Sequence, residues 1–191
     1  MSASSKYPLP GHETMVQNIV SAWDKATDYH SHGREWYESA HTYLAGLATV
    51  YNTPLANVAG ITAVLSPSVS WDINLLETEQ VLLDNRDFRY RAYRENVDKA
   101  FAVRGGDLSR IRGPKVIAFA TLLLHPQAHT VVVDRHALSV ALGFKVEGRG
   151  YNTLPRIRKF QTAYVDAALH LGEKASHVQA ATWLWIREKT E

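Results

Sequence analysis

The sequence predicts an all-α protein, and two observations carry that prediction. Apolar residues recur at helical spacings of three and four along most of the chain, as at Val16, Ile19, Val20 and Trp23. The β-branched run Val131-Val132-Val133 is too short for a stable strand and is expected to form an extended lead-in to a helix. We therefore expect at least seven helices and no sheet beyond an incidental pair of short strands.

The first half of the chain gives four helices from this spacing and from turn signals. The first covers Val16 to Trp23, and the second places Tyr37, Ala40, Tyr43, Leu44 and Leu47 on one apolar face. Thr53 is a candidate N-cap with Pro54 at the first helical position, so a third helix should run to about Leu65. Ser66-Pro67-Ser68 interrupts the chain. Helical spacing resumes from Trp71 to Leu83, with a predicted core of Ile73, Leu76, Val81 and Leu82.

Glycine and proline mark the boundaries of the second half. Gly105-Gly106 ends a basic helical stretch, and Gly113-Pro114 precedes an apolar helix from Val116 to Leu124. Asp134 is the predicted N-cap of a further helix that ends at Gly143. After a loop marked by Gly148 and Gly150, two amphipathic helices are predicted, one around Ile157 to Leu171 and one around His177 to Arg187.

Composition sets the class of protein. The 191 residues suit one domain, or one discontinuous domain of two lobes, and 46% hydrophobic with 21% charged residues is typical of globular proteins. The absence of cysteine excludes disulfides, thiolate zinc sites and cysteine-bound iron–sulfur clusters. Because no apolar run approaches the ~20 residues of a membrane span and Met1 to Lys6 is polar, we expect a cytoplasmic protein without a membrane partner.

Charge distribution points to a polyanion. Net charge is only +2, but the stretch from Arg86 to Lys115 holds nine basic residues against four acidic ones. A local excess of this kind suits a phosphate backbone, although a solvated helix face is the commoner reason for any charge cluster. The stretch is therefore compatible with a phosphate-bearing partner and equally with a solvated surface.

Two segments carry a specific motif. Ile111-Arg112-Gly113-Pro114-Lys115-Val116 forms a hairpin sequence, and Val131-Val132-Val133-Asp134-Arg135-His136 follows, with Asp134 placed 19 positions after Lys115. Upstream, a helix ends in Leu65-Ser66, and Asn74 lies in the next one. Together these segments resemble the helix-hairpin-helix (HhH-GPD) DNA glycosylase superfamily over roughly residues 54–144, with residues 12–50 and 151–188 completing the second lobe.

The resemblance implies a helical domain over residues 1–191, with two lobes and a cleft between them. It implies an enzyme of DNA repair or DNA modification that uses no metal, cofactor or iron–sulfur cluster. The implied catalytic residues are Lys115 and Asp134. The implied DNA contacts are Arg112, Gly113, Arg135, His136 and Ser66, and the implied base pocket holds Trp71, Asn74 and Trp183. For each residue taken singly, a turn, a helix cap, a surface charge or a core aromatic is the ordinary alternative.

The chemistry favours these residue types independently of the resemblance. Cleavage of a bond between a base and a sugar passes through an oxocarbenium-like state, which a carboxylate such as Asp134 stabilises. A deprotonated lysine amine can attack the sugar carbon and form a Schiff base, the step of a lyase. A glycine at the hairpin allows close approach of the backbone, and amides at the following helix N-terminus bind phosphate.

Two departures from the family pattern keep three functions open. Ile111 stands where the common hairpin has its first glycine, and Leu65-Ser66-Pro67-Ser68 lacks the glutamine that many members place there to fill the gap left by a flipped base. The leading expectation is an N-glycosylase with or without lyase activity on a damaged or modified base. The alternatives are a phage-type enzyme that modifies an activated, hypermodified thymine, and a non-catalytic DNA-binding module.

Overall fold

The computed structural model describes residues 7–147 and 150–189, and every regular element in these ranges is helical. The prediction of an all-α protein with at least seven helices is confirmed. In chain order the α-helices of the described ranges are α1 His12–Lys25, α2 His30–Val50, α3 Leu55–Leu65, α4 Trp71–Leu82, α5 Arg94–Arg104, α6 Pro114–Leu124, α7 Arg135–Leu142, α8 Leu154–Leu171 and α9 Ala175–Glu188. Short 3₁₀ turns lie at Thr27–Tyr29 and Leu108–Arg110.

The contacts divide the chain into two compact units. The first unit is built from both ends of the chain, Met1–Trp36 and His129–Glu191, and the second is the continuous segment Tyr37–Ala128. The boundaries fall inside α2 and in the segment between α6 and α7. Lys115 therefore belongs to the second unit and Asp134 to the first.

The first unit packs α1, α7, α8 and α9 around one hydrophobic core. Ile19 of α1, Leu138 of α7, and Phe160 and Tyr164 of α8 are among its fully buried side chains. Their burial follows the spacing of three and four that predicted these helices. The short helix α7 is thus held on its apolar side by three longer ones.

The second unit surrounds α3 with α4, α5 and α6. Every residue of α3 from Asn57 to Leu65 is buried, so this helix has no polar face. The Nδ2 of Asn57 donates to the carbonyl of Val103, 2.8 Å away, and ties α3 to the end of α5. The segment that follows α5 is therefore positioned by its packing on α3.

The start of α3 differs from its prediction. Pro54, not Thr53, is the N-cap, and the helix begins at Leu55. The Thr53 hydroxyl donates instead to the carbonyl of Tyr51, at 3.1 Å. A threonine hydroxyl satisfied by a nearby carbonyl is not available to cap a helix, which is why the prediction was wrong by one residue.

Two apolar residues expected in the core are exposed. Leu76 is 43% exposed, whereas Asn74, Glu77 and Thr78 of the same helix are buried. Tyr43 is also exposed, and its hydroxyl donates to the Glu79 carboxylate at 2.8 Å. Of the predicted core of α4, Val81 and Leu82 are buried and Ile73 is half-buried, so the prediction is wrong at Leu76. Glu77 and Thr78 take inward positions instead, because they have hydrogen-bond partners within the second unit.

The described helices include none that is long and apolar enough to span a membrane.

Candidate functional site

The hairpin between α5 and α6 is fixed by one glycine and one isoleucine. Gly113 has φ +88° and caps α6, with Pro114 at the first position of the helix. An L side chain rarely adopts this φ, so glycine is required by the backbone. Ile111 packs on α3 at Gly60. A Cβ added to Gly60 would lie only 2.6 Å from Cδ1 of Ile111. The residue that departs from the family hairpin thus fills a space that Gly60 leaves open.

An aspartate organises the turn before the hairpin. Asp107 accepts hydrogen bonds from the Ser109 hydroxyl at 2.5 Å and from Arg110 Nε at 2.8 Å. These two donors lower the pKa of the Asp107 carboxyl. The next arginine, Arg112, is exposed and donates from Nε to the carbonyl of Ser109 at 2.8 Å. The turn therefore presents Arg112 to solvent with its remaining guanidinium donors free for a ligand.

Lys115 and Ser66 lie in the same unit as this hairpin. Lys115 is the second residue of α6 and is half-buried. Its side chain forms no ion pair with any described carboxylate. Ser66 ends α3, and its hydroxyl donates to the Ala63 carbonyl at 2.9 Å. The amine of Lys115 is thus available for chemistry, whereas the Ser66 hydroxyl already has a partner.

Asp134 is held by two donors in the first unit. It caps α7 as predicted, with Oδ1 accepting the backbone N–H of Ala137 at 2.8 Å. Its Oδ2 accepts the indole N–H of Trp183 on α9 at 3.0 Å. The side chain is half-buried, and each carboxylate oxygen keeps lone-pair capacity for a further partner. The cap fixes one oxygen and the tryptophan fixes the other.

Trp183 is the centre of a small aromatic cluster. Its ring meets His136 edge to face at 6.3 Å between centroids, and Trp36 at 6.2 Å. The guanidinium of Arg187 lies 4.9 Å from the Trp183 ring centre. Arg135, at the start of α7, is exposed. Asp134, Arg135, His136 and Trp183 are therefore brought together around the N-terminus of one helix.

A buried tyrosine lies beneath this helix. Tyr164 of α8 is fully buried, and its hydroxyl donates to the carbonyl of Ala137 at 3.2 Å. Burial raises the pKa of Tyr164 strongly, and the negative charge of Asp134 adds to the shift. The Tyr164 hydroxyl thus stays protonated and stabilises the first turn of α7 through this hydrogen bond.

The other two base-pocket candidates lie in the second unit. Trp71 begins α4, is half-buried and meets Phe119 edge to face at 6.4 Å. Asn74 is 2% exposed, and its Oδ1 is a buried acceptor without a described donor. Of the predicted base-pocket residues, Trp71 and Asn74 belong to the second unit and Trp183 belongs to the first.

A buried carboxylate that the sequence analysis missed holds the loop between α4 and α5. Glu77 is 1% exposed and accepts hydrogen bonds from the backbone amides of Arg91 and Ala92. The Tyr90 hydroxyl donates to the Asn85 carbonyl at 2.9 Å. Burial, with Glu77 as the next cause, raises the pKa of Tyr90 to about 12. One sequence signal could have indicated this burial. Glu77 is an acidic residue of a predicted helix, and the residues three and four positions away from it are apolar or neutral.

Two concave regions flank this loop. One has a volume of about 410 Å³ and is lined in part by Arg86, Arg94 and Phe101. The other, of about 630 Å³, lies between α4 and the loop. Among the described residues no group of three histidine, aspartate or glutamate side chains is placed to hold a metal ion.

Comparison with known sequences gives a family without an assigned activity. Residues 2–190 match a family described as "Family of unknown function (DUF7178)". No curated protein and no solved structure matches the chain.

Proposed function

We propose that this chain, which belongs to the family of unknown function DUF7178, is a DNA N-glycosylase of the helix-hairpin-helix type with lyase activity. In this proposal Asp134 assists cleavage of the bond between a damaged or modified base and its sugar. Lys115 is the amine nucleophile. Arg112, Gly113 and the amides that begin α6 bind a DNA phosphate.

The observation that carries the proposal is the arrangement of Asp134. A half-buried carboxylate with one oxygen on a helix amide and the other on an indole N–H is oriented from two sides. Preorganised charge of this kind stabilises positive charge that develops on a sugar in the transition state. An ordinary N-cap needs only the first of the two hydrogen bonds.

Trp183 then takes a different role from the one that its aromatic character predicts. Because its indole N–H is committed to Asp134, we assign it as a positioning residue, with its ring face still able to contact a base. Arg135 and His136 adjoin the same carboxylate in sequence and supply contacts to the flanking phosphates. A helix N-terminus favours such anions.

The chemical step balances without a cofactor. The neutral amine of Lys115 attacks C1′ of the sugar as the bond from C1′ to the base nitrogen breaks, and one amine proton passes to the departing base. The remaining amine proton passes to O4′ as the bond from C1′ to O4′ breaks, which opens the sugar ring and gives the Schiff base. Lys115 stands in the first turn of α6, directly after the hairpin that is proposed to bind phosphate.

The mechanism requires Lys115 and Asp134 to reach one nucleotide. Two lobes with a cleft between them, the arrangement that the resemblance implies, meet this requirement. A double variant tests it, because two groups that act on one bond lose activity non-additively. Losses that simply multiply would contradict a shared nucleotide.

One observation favours a second candidate, an enzyme that modifies an activated thymine. Ile111 occupies the place of the first hairpin glycine and packs on α3. Isoleucine has the same backbone amide as glycine, but its Cβ limits how closely the hairpin backbone can approach a duplex. In this alternative a small amine co-substrate displaces the activating group on the base, the group leaves with its bonding electron pair, and the glycosidic bond stays intact.

The test offers the protein a panel of single- and double-stranded oligonucleotides with lesion and hypermodified bases. Free base and a borohydride-trapped protein–DNA adduct support the glycosylase with lyase activity. Lys115→Ala should abolish the adduct, whereas Lys159→Ala, a change at an exposed lysine of α8, should not. A mass change on a pre-activated thymine without release of base supports the second candidate. If neither product appears on any oligonucleotide, the remaining account is a DNA-binding module.

A further inference from the structure

The larger concave region of the second unit has two chemically distinct parts. Its floor is apolar and aromatic, with Ile73 and Leu76 from α4 and Phe88 and Tyr90 from the following loop. Its rim carries the arginines at positions 89 and 91. A volume of about 630 Å³ is in the range of small-ligand sites, which combine an apolar lining with a few polar groups.

The arginines on the rim are not used by the fold. Arg89 and Arg91 are exposed, and their side chains form no ion pair with any carboxylate of the described residues. Other cations of the same basic stretch do have such partners. Arg104 pairs with Asp84 and Lys99 pairs with Glu95. Two arginines side by side without a counter-ion mark a place for an anionic ligand.

The acidic residue of this region does not oppose an anion. The carboxylate of Glu77 is buried and is directed at the backbone amides of Arg91 and Ala92. Its role is to fix the loop and, with it, the backbone that carries both arginines. The region is therefore preorganised, which lowers the cost of ordering the loop on binding.

The aromatic floor suits a planar ligand. Phe88 and Tyr90 meet edge to face, 5.1 Å apart, and Tyr90 in turn meets Phe101 at 6.1 Å. Leu76 is 43% exposed, whereas three polar residues of the same helix, Asn74, Glu77 and Thr78, are buried. An exposed leucine beside an aromatic pair offers apolar area to a base, and the arginines offer charge to the phosphates on either side.

We infer that the pocket formed by Ile73, Leu76, Phe88 and Tyr90, with Arg89 and Arg91 on its rim, binds one unpaired nucleotide of a single DNA strand. The base lies against the aromatic and aliphatic floor, and the two arginines contact the adjacent phosphates. Neither Lys115 nor Asp134 lines this pocket, and the binding requires no chemical step.

The experiment measures binding of a fluorescein-labelled oligothymidylate of about eight nucleotides at several salt concentrations, since related sites cover roughly 4–16 nucleotides. Replacing both arginines with glutamine should weaken binding at least about tenfold and reduce the slope of log affinity against log salt by about 1.4, the value for two phosphates of a single strand. The matched control is Arg158→Gln with Lys159→Gln, two exposed positions of α8. It removes the same charge and should leave the slope unchanged.

Further arms test the base and the strand. Phe88→Leu keeps apolar volume but removes a stacking surface, and it should weaken binding about tenfold without changing the salt slope. Free thymidine monophosphate should bind much more weakly than the strand, and a duplex of the same length should lose the dependence on Phe88.

Several results would overturn the inference. The arginine pair and its control could weaken binding equally, or Phe88→Leu could leave binding unchanged. The free monophosphate could bind as tightly as the strand, or duplex binding could depend on Phe88 as much as single-strand binding does. Circular dichroism of each variant keeps loss of fold separate from loss of binding. Because no arm measures turnover, failure of this inference and failure of the glycosylase proposal are distinguishable.

Discussion

Substitutions at Asp134 separate its structural part from its chemical part. The Oδ1 atom caps α7 and the Oδ2 atom accepts the Trp183 indole N–H. Asp134→Ala removes both hydrogen bonds. Loss of an N-cap costs roughly 1 kcal/mol, and an orphaned donor adds about 1 kcal/mol or more. We expect the free energy of unfolding to fall by about 2 kcal/mol.

Asp134→Asn should behave differently. Asparagine caps a helix as well as aspartate does, and its amide oxygen can still accept one of the two donors. Stability should fall by about 1 kcal/mol, half the loss expected for Asp134→Ala, because the amide nitrogen cannot accept the other donor. Base release should slow by about 10² or more because the charge is gone. Affinity for DNA should stay the same or rise, since one carboxylate fewer repels the phosphates.

Urea unfolding measures the stability part, with the slope m checked for each variant. A double-mutant cycle with Trp183→Phe isolates the indole hydrogen bond and should give a coupling energy of about 1 kcal/mol. Trp185→Phe is the matched control, because Trp185 lies on the same helix without a described bond to Asp134. Equal destabilisation by alanine and asparagine, or additive effects of Asp134→Ala and Trp183→Phe, would refute the reasoning.

Three more outcomes follow from the same contacts. Arg112→Gln should weaken DNA binding alike for every sequence and lower the salt slope by about 1, measured by fluorescence titration; a sequence-selective loss would place Arg112 on a base edge instead. Glu77→Ala should cost about 2 kcal/mol or more, because it orphans the backbone amides that hold the loop; an unchanged urea midpoint would contradict this role. The Arg34 guanidinium lowers the pKa of Glu173. The ion pair therefore stabilises the fold fully above the ordinary pKa of 4.5, and this stabilisation is lost as the pH falls through the lowered pKa of Glu173. Arg34→Gln should therefore lose less stability in acid than the wild type does. The free energy of unfolding, measured from about pH 6 to about pH 3, checks this.

Most of the helices could be predicted because local signals and tertiary packing agree. Gly113, Asp134 and Gly143 each mark a boundary that the structure keeps, since a left-handed backbone or a cap depends on one residue and its neighbours. Leu76 shows where such signals fail. Which face of α4 turns inward depends on partners elsewhere in the chain, such as the Arg91 and Ala92 amides that Glu77 accepts.

The features of the candidate site fall into the same two groups, those that local sequence specifies and those that depend on distant residues. The cap formed by Asp134 could be predicted from one residue and the helix that follows it, and so could the glycine at the hairpin. The bond from Trp183 to Asp134 joins residues 49 positions apart, and no local pattern specifies it. The loop fixed by Glu77 was missed for the same reason, because its partners lie 14 and 15 positions away.

The second hydrogen bond is also what separates an enzyme from a binding module. A module that keeps the hairpin for phosphate needs a cap on α7, and any capping residue supplies it. It does not need an indole to aim the other carboxylate oxygen. A buried or half-buried polar pair costs desolvation that a cap alone would avoid, so the Asp134–Trp183 bond is better explained by a requirement on the direction of the charge. Asp134→Asn that stays folded and loses base release would establish that requirement, and intact activity would leave the cap as its whole role.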